Sequence, residues 1–186
     1  MSYFHGLIYR PDCFLCPLQN EKKVFPDGNI PAKLVIVGED PGENEVLRGR
    51  GFIGQSGQLL WQLARYAGLP ERDMGAIWVT NAALCKSPRD LMLSTGAMLK
   101  KGKIKSLAVQ ACRRRLLWEI MYVTQNNPGA VVMPLGNFAL WAVTGTPDPR
   151  ITQYRGSVQY FDLRHVFYHT GAPSDALIAR LSREPR

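Results

Sequence analysis

The strongest constraint on the fold is a repeated pattern: a short apolar run that stops at a polar residue, then a stretch of helical periodicity. Residues 34–37 are Leu-Val-Ile-Val and run straight into Gly38-Glu39-Asp40. Residues 77–81 end at Asn81, and residues 130–134 lead to Gly136-Asn137. Apolar runs of this length, bounded by turn residues, read as buried strands. Between them, residues 57–67 place Leu59, Leu60, Leu63, Ala64 and Ala67 on one helical stripe that Gly68 ends. Residues 108–124 form a second helix, and a third opens after Gly136. Residues 158–161 and 166–168 are further strand candidates. A last helix runs over 174–181 with Ser174 as its N-cap. Strands alternating with helices predict an α/β protein: a three-layer α/β/α sandwich around a short, mostly parallel four-stranded sheet. Such folds bind ligands outside the carboxyl ends of their strands. Glu39-Asp40, Asn81, Gly136-Asn137 and His169 all fall at such ends.

The chain of 186 residues is expected to be one domain, with a loop-rich N-terminal segment over 1–31 broken by Pro11, Pro17, Pro26, Gly28 and Pro31. No apolar run reaches the roughly 18 residues of a membrane span, and residues 1–10 lack a signal-type apolar stretch. A monomeric, cytoplasmic protein without a membrane partner is the expectation. The formal net charge of +8 fits a polyanionic partner such as nucleic acid, and fits equally a merely soluble basic protein.

Against that basic background, residues 38–45 (GEDPGENE) carry Glu39, Asp40, Glu43 and Glu45. Phosphate would be repelled there, and no G-x-G-x-x-G fingerprint is present. The carboxylates serve either as a solvated turn or as a general base beside a reacting carbon. Residues 43–56 read as a Gly- and Arg-bearing loop with Phe52 its lone aromatic, which either stacks on a base or anchors the loop in the core. The Asn81 amide offers a donor and an acceptor, suited to a pyrimidine edge and equally to a cap. Residues 86–105 read as an insert with four lysines in its last six positions, either a solvated loop or a phosphate-contacting patch. The cysteines, Cys13, Cys16, Cys85 and Cys112, match no standard zinc spacing; thiolate ligation of a metal or cluster and four buried free thiols both remain open.

Taken together these segments resemble the uracil-DNA glycosylase superfamily, closest to its iron–sulfur family 4 branch. The strand followed by G-E-x-P-G-E-x-E matches residues 38–45. The G-x-x-F-x-G-x-x-G-x-L-L loop matches residues 49–60. N-x-x-x-C-x-x-P falls on residues 81–88 and A-C-R on 111–113. L-G-x-x-A-L falls on 135–140, and I-T-x-x-R-G on 151–156. The resemblance implies hydrolysis of the N-glycosidic bond of deoxyuridine in DNA to leave an abasic site, with other deaminated bases as further candidates. It implies a uracil-containing DNA partner and a 4Fe-4S cluster on Cys13, Cys16, Cys85 and Cys112. It also implies a flipped uracil held against Gly38 and Phe52, its edge read by Asn81, with Glu45 near C5.

Two positions depart from the family pattern. The residue after Glu39 is usually small or amide-bearing in this branch; here it is Asp40. Other branches carry Asp there in a G-Q-D-P motif and use it for the attacking water. The resemblance therefore implies Asp40 as water activator, with Glu39 the runner-up. The family's H-P-S motif is also altered. Either Ala172 replaces its histidine, or His169 serves in that role ahead of an insertion. This keeps open a non-catalytic binder of uracil-containing or damaged DNA.

Overall fold

The computed structural model describes residues 12–158, apart from 71, 73, 74, 125, 126, 128 and 147–149. His169, the strand candidates at 159–168 and the helix at 174–181 lie outside the described residues.

The apolar runs form the strands expected of them. β2 (Leu34–Gly38) is central, with β3 (Ile77–Asn81) parallel on one side and β6 (Val131–Pro134) parallel on the other. The register sets Gly38 opposite Asn81, so the two functional-looking strand ends are neighbours. The fourth strand of this sheet is β1 (Asp27–Gly28), which pairs antiparallel with β3. It was not legible in the loop-rich N-terminal segment, because its two residues carry no apolar alternation. The described residue of the 158–161 candidate, Val158, is exposed and lies in no strand.

Alternation along the strands divides the core in two. Val35, Val37 and Trp78 face one way, toward α3 (Lys101–Thr124) and α4 (Asn137–Thr144). Ile36, Ile77 and Val79 face the other way, against Leu60 and Trp61 of α2 (Gln55–Tyr66) and against Phe52. Helices therefore cover both faces of a mixed, mainly parallel sheet, as parallel strands require when they are apolar on both sides. Among the described residues, no helix is long and apolar enough to cross a membrane.

Three local expectations are corrected. Residues 43–56 are not all loop: α1 (Glu43–Arg48) forms there, because Glu43 and Glu45 sit in the first turn, where the helix dipole favours carboxylates. Gly49, at φ 69°, ends that helix in the left-handed conformation glycine permits. Residues 86–105 are not a solvated insert. They build the hairpin β4 (Asp90–Met92) and β5 (Met98–Lys100) and then the first turn of α3. The stripe expected on α2 is only partly inward. Leu59 and Leu63 remain more than half exposed, while Gly57 and Ala64 are buried. The helix is rotated because Gly57 must pack directly on the Phe52 backbone. The chain ends its described part in the short α5 (Ile151–Tyr154).

α3 is buried on more than one face, and its burial includes charge. Arg115 is 1% exposed; its guanidinium donates to Glu119 Oε2 at 2.5 Å, Thr80 Oγ1 at 3.0 Å and the carbonyl of Asn81 at 2.7 Å. Glu119 Oε1 in turn accepts Trp78 Nε1–H at 2.7 Å. Removing one partner strands the other charge in the core. Glu119→Ala is expected to lower stability by roughly 3–5 kcal/mol, read from urea unfolding. A loss near that of an ordinary surface substitution would show that water reaches the guanidinium.

Candidate active site

The site is built around the carboxyl end of β2. Gly38 has no side chain, and a Cβ there would lie 2.7 Å from Phe52 Cζ and would also collide with Asn81 Oδ1. Its absence lets the Phe52 ring and the Asn81 amide close over the strand end. Asn81 is 4% exposed, so its amide is held inside the fold rather than at its rim. Its carbonyl is taken by Arg115. Gly38, Phe52 and Asn81 are thus brought together.

Phe52 sits at φ 56°, a conformation a bulky residue adopts only when its surroundings impose it. The cost is about 1–3 kcal/mol. Several bonds offset it. Trp61 Nε1–H donates to the Phe52 carbonyl at 3.0 Å, and Arg72 donates to the Gly51 carbonyl at 2.5 Å. Arg72 also lies over the Trp61 ring, 5.5 Å from its centroid, and pairs with Asp27, which accepts Arg50 Nε–H at 3.0 Å. Glu45 closes the loop: its carboxylate accepts the Gly42 N–H at 2.6 Å and the Ile53 N–H at 3.1 Å. Glu45 therefore ties the acidic turn to the residue after Phe52.

Glu39 and Asp40 share one cation. Lys105 Nζ lies 2.8 Å from Glu39 Oε2 and 2.7 Å from Asp40 Oδ1. Each carboxylate's second oxygen accepts a backbone N–H, from Phe138 at 3.2 Å for Glu39 and from Ser87 at 3.0 Å for Asp40. Gly136 leaves the room Glu39 needs, since a Cβ there would overlap its carboxylate. Lys105 is 9% exposed and sits 5.4 Å from the Phe138 ring centroid. Burial opposes its charge, but the hydrogen bonds to Asp40 and Glu39 more than compensate, and its pKa is raised above 10.5. It is an ammonium throughout the neutral range. Glu43, by contrast, points outward and is held below the usual carboxylate range by its bond to Lys86.

The cysteines come from three segments that meet. Cys13 begins the 3-10 turn Cys13–Leu15, and Asp12 N–H bonds the Ala111 carbonyl on α3, next to Cys112. Cys85 is bridged to Lys23. Cys112 raises the pKa of each of the other three thiols, so all four lie within electrostatic reach of one another. Burial is the larger cause, pushing Cys16 up to about 11 and Cys85 up to about 12. The Leu18 N–H points at Cys16 Sγ at 3.4 Å, the kind of contact that a thiolate ligand accepts. Among the described residues, no three His, Cys, Asp or Glu side chains form a group that could hold a single metal ion as they stand. A polynuclear cluster spreads its thiolates farther apart than one ion does, and a set of four cysteine thiolates is what such a cluster takes. The residues present fit it.

Lys105, Ser87, Arg72 and Arg115 were not singled out by the sequence. Lys105 ends the lysine run KKGKIK, where its neighbours Lys101 and Lys103 are exposed. Extending the helical phase of α3 back one turn puts Lys105 level with Ala108, Val109 and Cys112, on the buried side. That phase was the available signal.

A β2 end carrying a ring, a buried amide and a clamped carboxylate pair defines a base-recognition and hydrolysis class of site. Comparison with known proteins agrees. The family profile described as the Uracil DNA glycosylase superfamily matches residues 25–183. The type-4 uracil-DNA glycosylase of Thermotoga maritima is 31% identical over 147 residues, covering 78% of this chain and 67% of that protein. That of Archaeoglobus fulgidus is 35% identical over 80 residues, 42% of this chain and 39% of its own. That of Saccharolobus solfataricus is 36% identical over 81 residues, 42% of this chain and 36% of its own. The chain belongs to the uracil-DNA glycosylase superfamily, and these relatives are of its type-4 branch.

Gly57 carries the test of the loop. A Cβ there would fall 2.7 Å from Phe52 Cα, against backbone that cannot swing aside, whereas at Gly54 it would meet nothing within 4 Å. Gly57→Ala is expected to cost roughly 1–3 kcal/mol and to speed hydrogen exchange at the Ile53 amide. Gly54→Ala should leave that amide protected. Equal exchange in both variants would detach the loop's conformation from this contact.

Proposed function

We propose that this protein is a DNA-repair glycosylase that hydrolyses the N-glycosidic bond of deoxyuridine in DNA. The observation that carries the reading is the closure of Phe52 and the Asn81 amide over Gly38, beside a carboxylate pair fixed on both oxygens. A base inside a duplex is out of reach of such a site, so it must be flipped out of the stack. Phe52 then stacks on the flipped uracil. The Asn81 amide pairs with its edge, and cytosine fails there because its donor–acceptor pattern leaves the buried amide unpaired. Glu45 is the residue assigned to the C5 side, and it also sets the Phe52 loop.

As the bond from C1′ to N1 breaks, the sugar gains positive charge and the uracil leaves with the electron pair. Glu39 and Asp40 supply the nearby negative charge that steadies this sugar. Asp40 is assigned to take a proton from the water that attacks C1′, with Glu39 the alternative. His169 is assigned to the departing uracil anion. Exposed lysines such as Lys101 and Lys103 meet the phosphate backbone.

Cys13, Cys16, Cys85 and Cys112 are assigned to a 4Fe-4S cluster. Bound there, it would supply a cross-link between the N-terminal segment, the loop after β3 and α3.

Incubation with a uracil-bearing oligonucleotide, followed by alkali, should cut the strand at the uracil. Asp40→Asn should slow base release by about 10²–10⁴-fold, and Lys103→Ala should change it little. Tight binding without base release at excess protein would instead make the chain a binder. Protein purified without oxygen should be brown, with iron and acid-labile sulfide in equal amounts. Cys85→Ser should lose both; zinc in their place would overturn the cluster assignment.

A further inference from the structure

We propose that Lys105 is a positioning residue whose ammonium binds Glu39 and Asp40 into one unit of single net negative charge, leaving Asp40 ionised as the base. The inference rests on the reading of Asp40 as water activator and adds a group to it. Two carboxylates on adjacent residues, both mostly buried, repel one another, and such pairs ordinarily hold one proton between them. Here Lys105 Nζ touches both, at 2.8 Å and 2.7 Å, so neither carboxylate needs the proton. With the Ser87 and Phe138 N–H groups, every oxygen of the pair has one fixed donor. A carboxylate oxygen accepts more than one bond, so Asp40 retains lone pairs for water in a set direction.

The other charges nearby are committed elsewhere. Among the described residues, Lys86 pairs with Glu43 at 2.5 Å, and Glu45 binds the N–H groups of Gly42 and Ile53. Asp27 binds Arg50 and Arg72, Arg115 binds Glu119, and α4 presents only the Phe138 amide and ring to this cluster. Lys101 and Lys103, on the same helix, are exposed. No second cation among these is placed to take over from Lys105.

The test measures the pH dependence of single-turnover base release for the wild-type chain, Lys105→Met, Lys105→Arg and the double variant Lys105→Met/Glu39→Gln. Lys105→Met should move the acid limb of the profile upward by roughly one to three pH units. Its rate at neutral pH should then fall at least tenfold and recover at alkaline pH, with little change in KM. Lys105→Arg should keep the wild-type limb. The double variant removes the repelling charge together with its counter-ion and should restore the limb. A uniform loss at every pH, or a double variant no better than Lys105→Met, would reduce Lys105 to a structural role.

Carboxyl carbon NMR titration of Glu39 and Asp40 reads the same question without turnover. One of the two should titrate at higher pH in Lys105→Met than in the wild type, and unchanged titration would overturn the proposal. A shifted titration in a wild-type chain that releases no uracil would support the charge coupling while removing the glycosylase reading. Should Lys105→Met not fold, the Arg variant and the double variant carry the same comparison.

Discussion

One buried guanidinium joins the two halves of this fold. Arg115 lies on α3, yet it bonds Thr80 Oγ1 and the carbonyls of Asn81 and Ala82, which are the last residues of β3 and the first beyond it. A strand end has unsatisfied carbonyls, and burying them without donors is costly. Arg115 supplies the donors, and Glu119 neutralises it at the next turn of the same helix. The carboxyl end of β3 can therefore stop inside the protein, with the Asn81 side chain facing Gly38 rather than solvent. The base-reading amide depends on a charge pair that never touches the base.

α3 distributes the rest of the site along its length. Lys105 reaches the carboxylates, and Cys112, two turns on and about 10 Å along the axis, belongs to the thiol group. The segment after β3 runs the same course: Asn81, then Cys85, then Ser87, whose N–H grips Asp40. Base recognition, thiol ligation and carboxylate orientation thus share two short stretches of backbone. Displacing either stretch would disturb all three at once.

The electrostatics answer the apparent conflict between a basic chain and an acidic turn. The four carboxylates of residues 38–45 are not one pool. Glu43 is surface and paired with Lys86, Glu45 is spent on backbone N–H groups, and only Glu39 and Asp40 form a buried pair with its own counter-ion. A screened, oriented pair suits a cationic sugar without presenting a large negative field to DNA phosphates. The hydrogen bonds that keep Lys105 charged hold it above the ordinary lysine value. Its stabilising effect is complete below pH 10.5 and is lost only as pH rises through that higher value.

The sequence by itself determined the layers, the parallel strands and the convergence of polar residues at their ends. Short, unbroken apolar runs can be buried only as strands covered on both sides, and β2 and β3 are buried on nearly every residue. It also marked Gly38, Phe52 and Asn81, whose residue types suit close approach, stacking and edge-reading. Tertiary structure decided the rest. β1 exists only because β3 offers it an edge. α2 turns as it does because Gly57 must sit on the Phe52 carbonyl. Glu45 proved to be a loop tie. Lys105 looked like one more lysine in a solvated run because sequence spacing does not say which side of a helix meets a carboxylate 66 residues away. Local patterning reports periodicity and residue chemistry; the partner that makes a buried charge tolerable comes from a distant part of the chain, and only the folded arrangement brings it there.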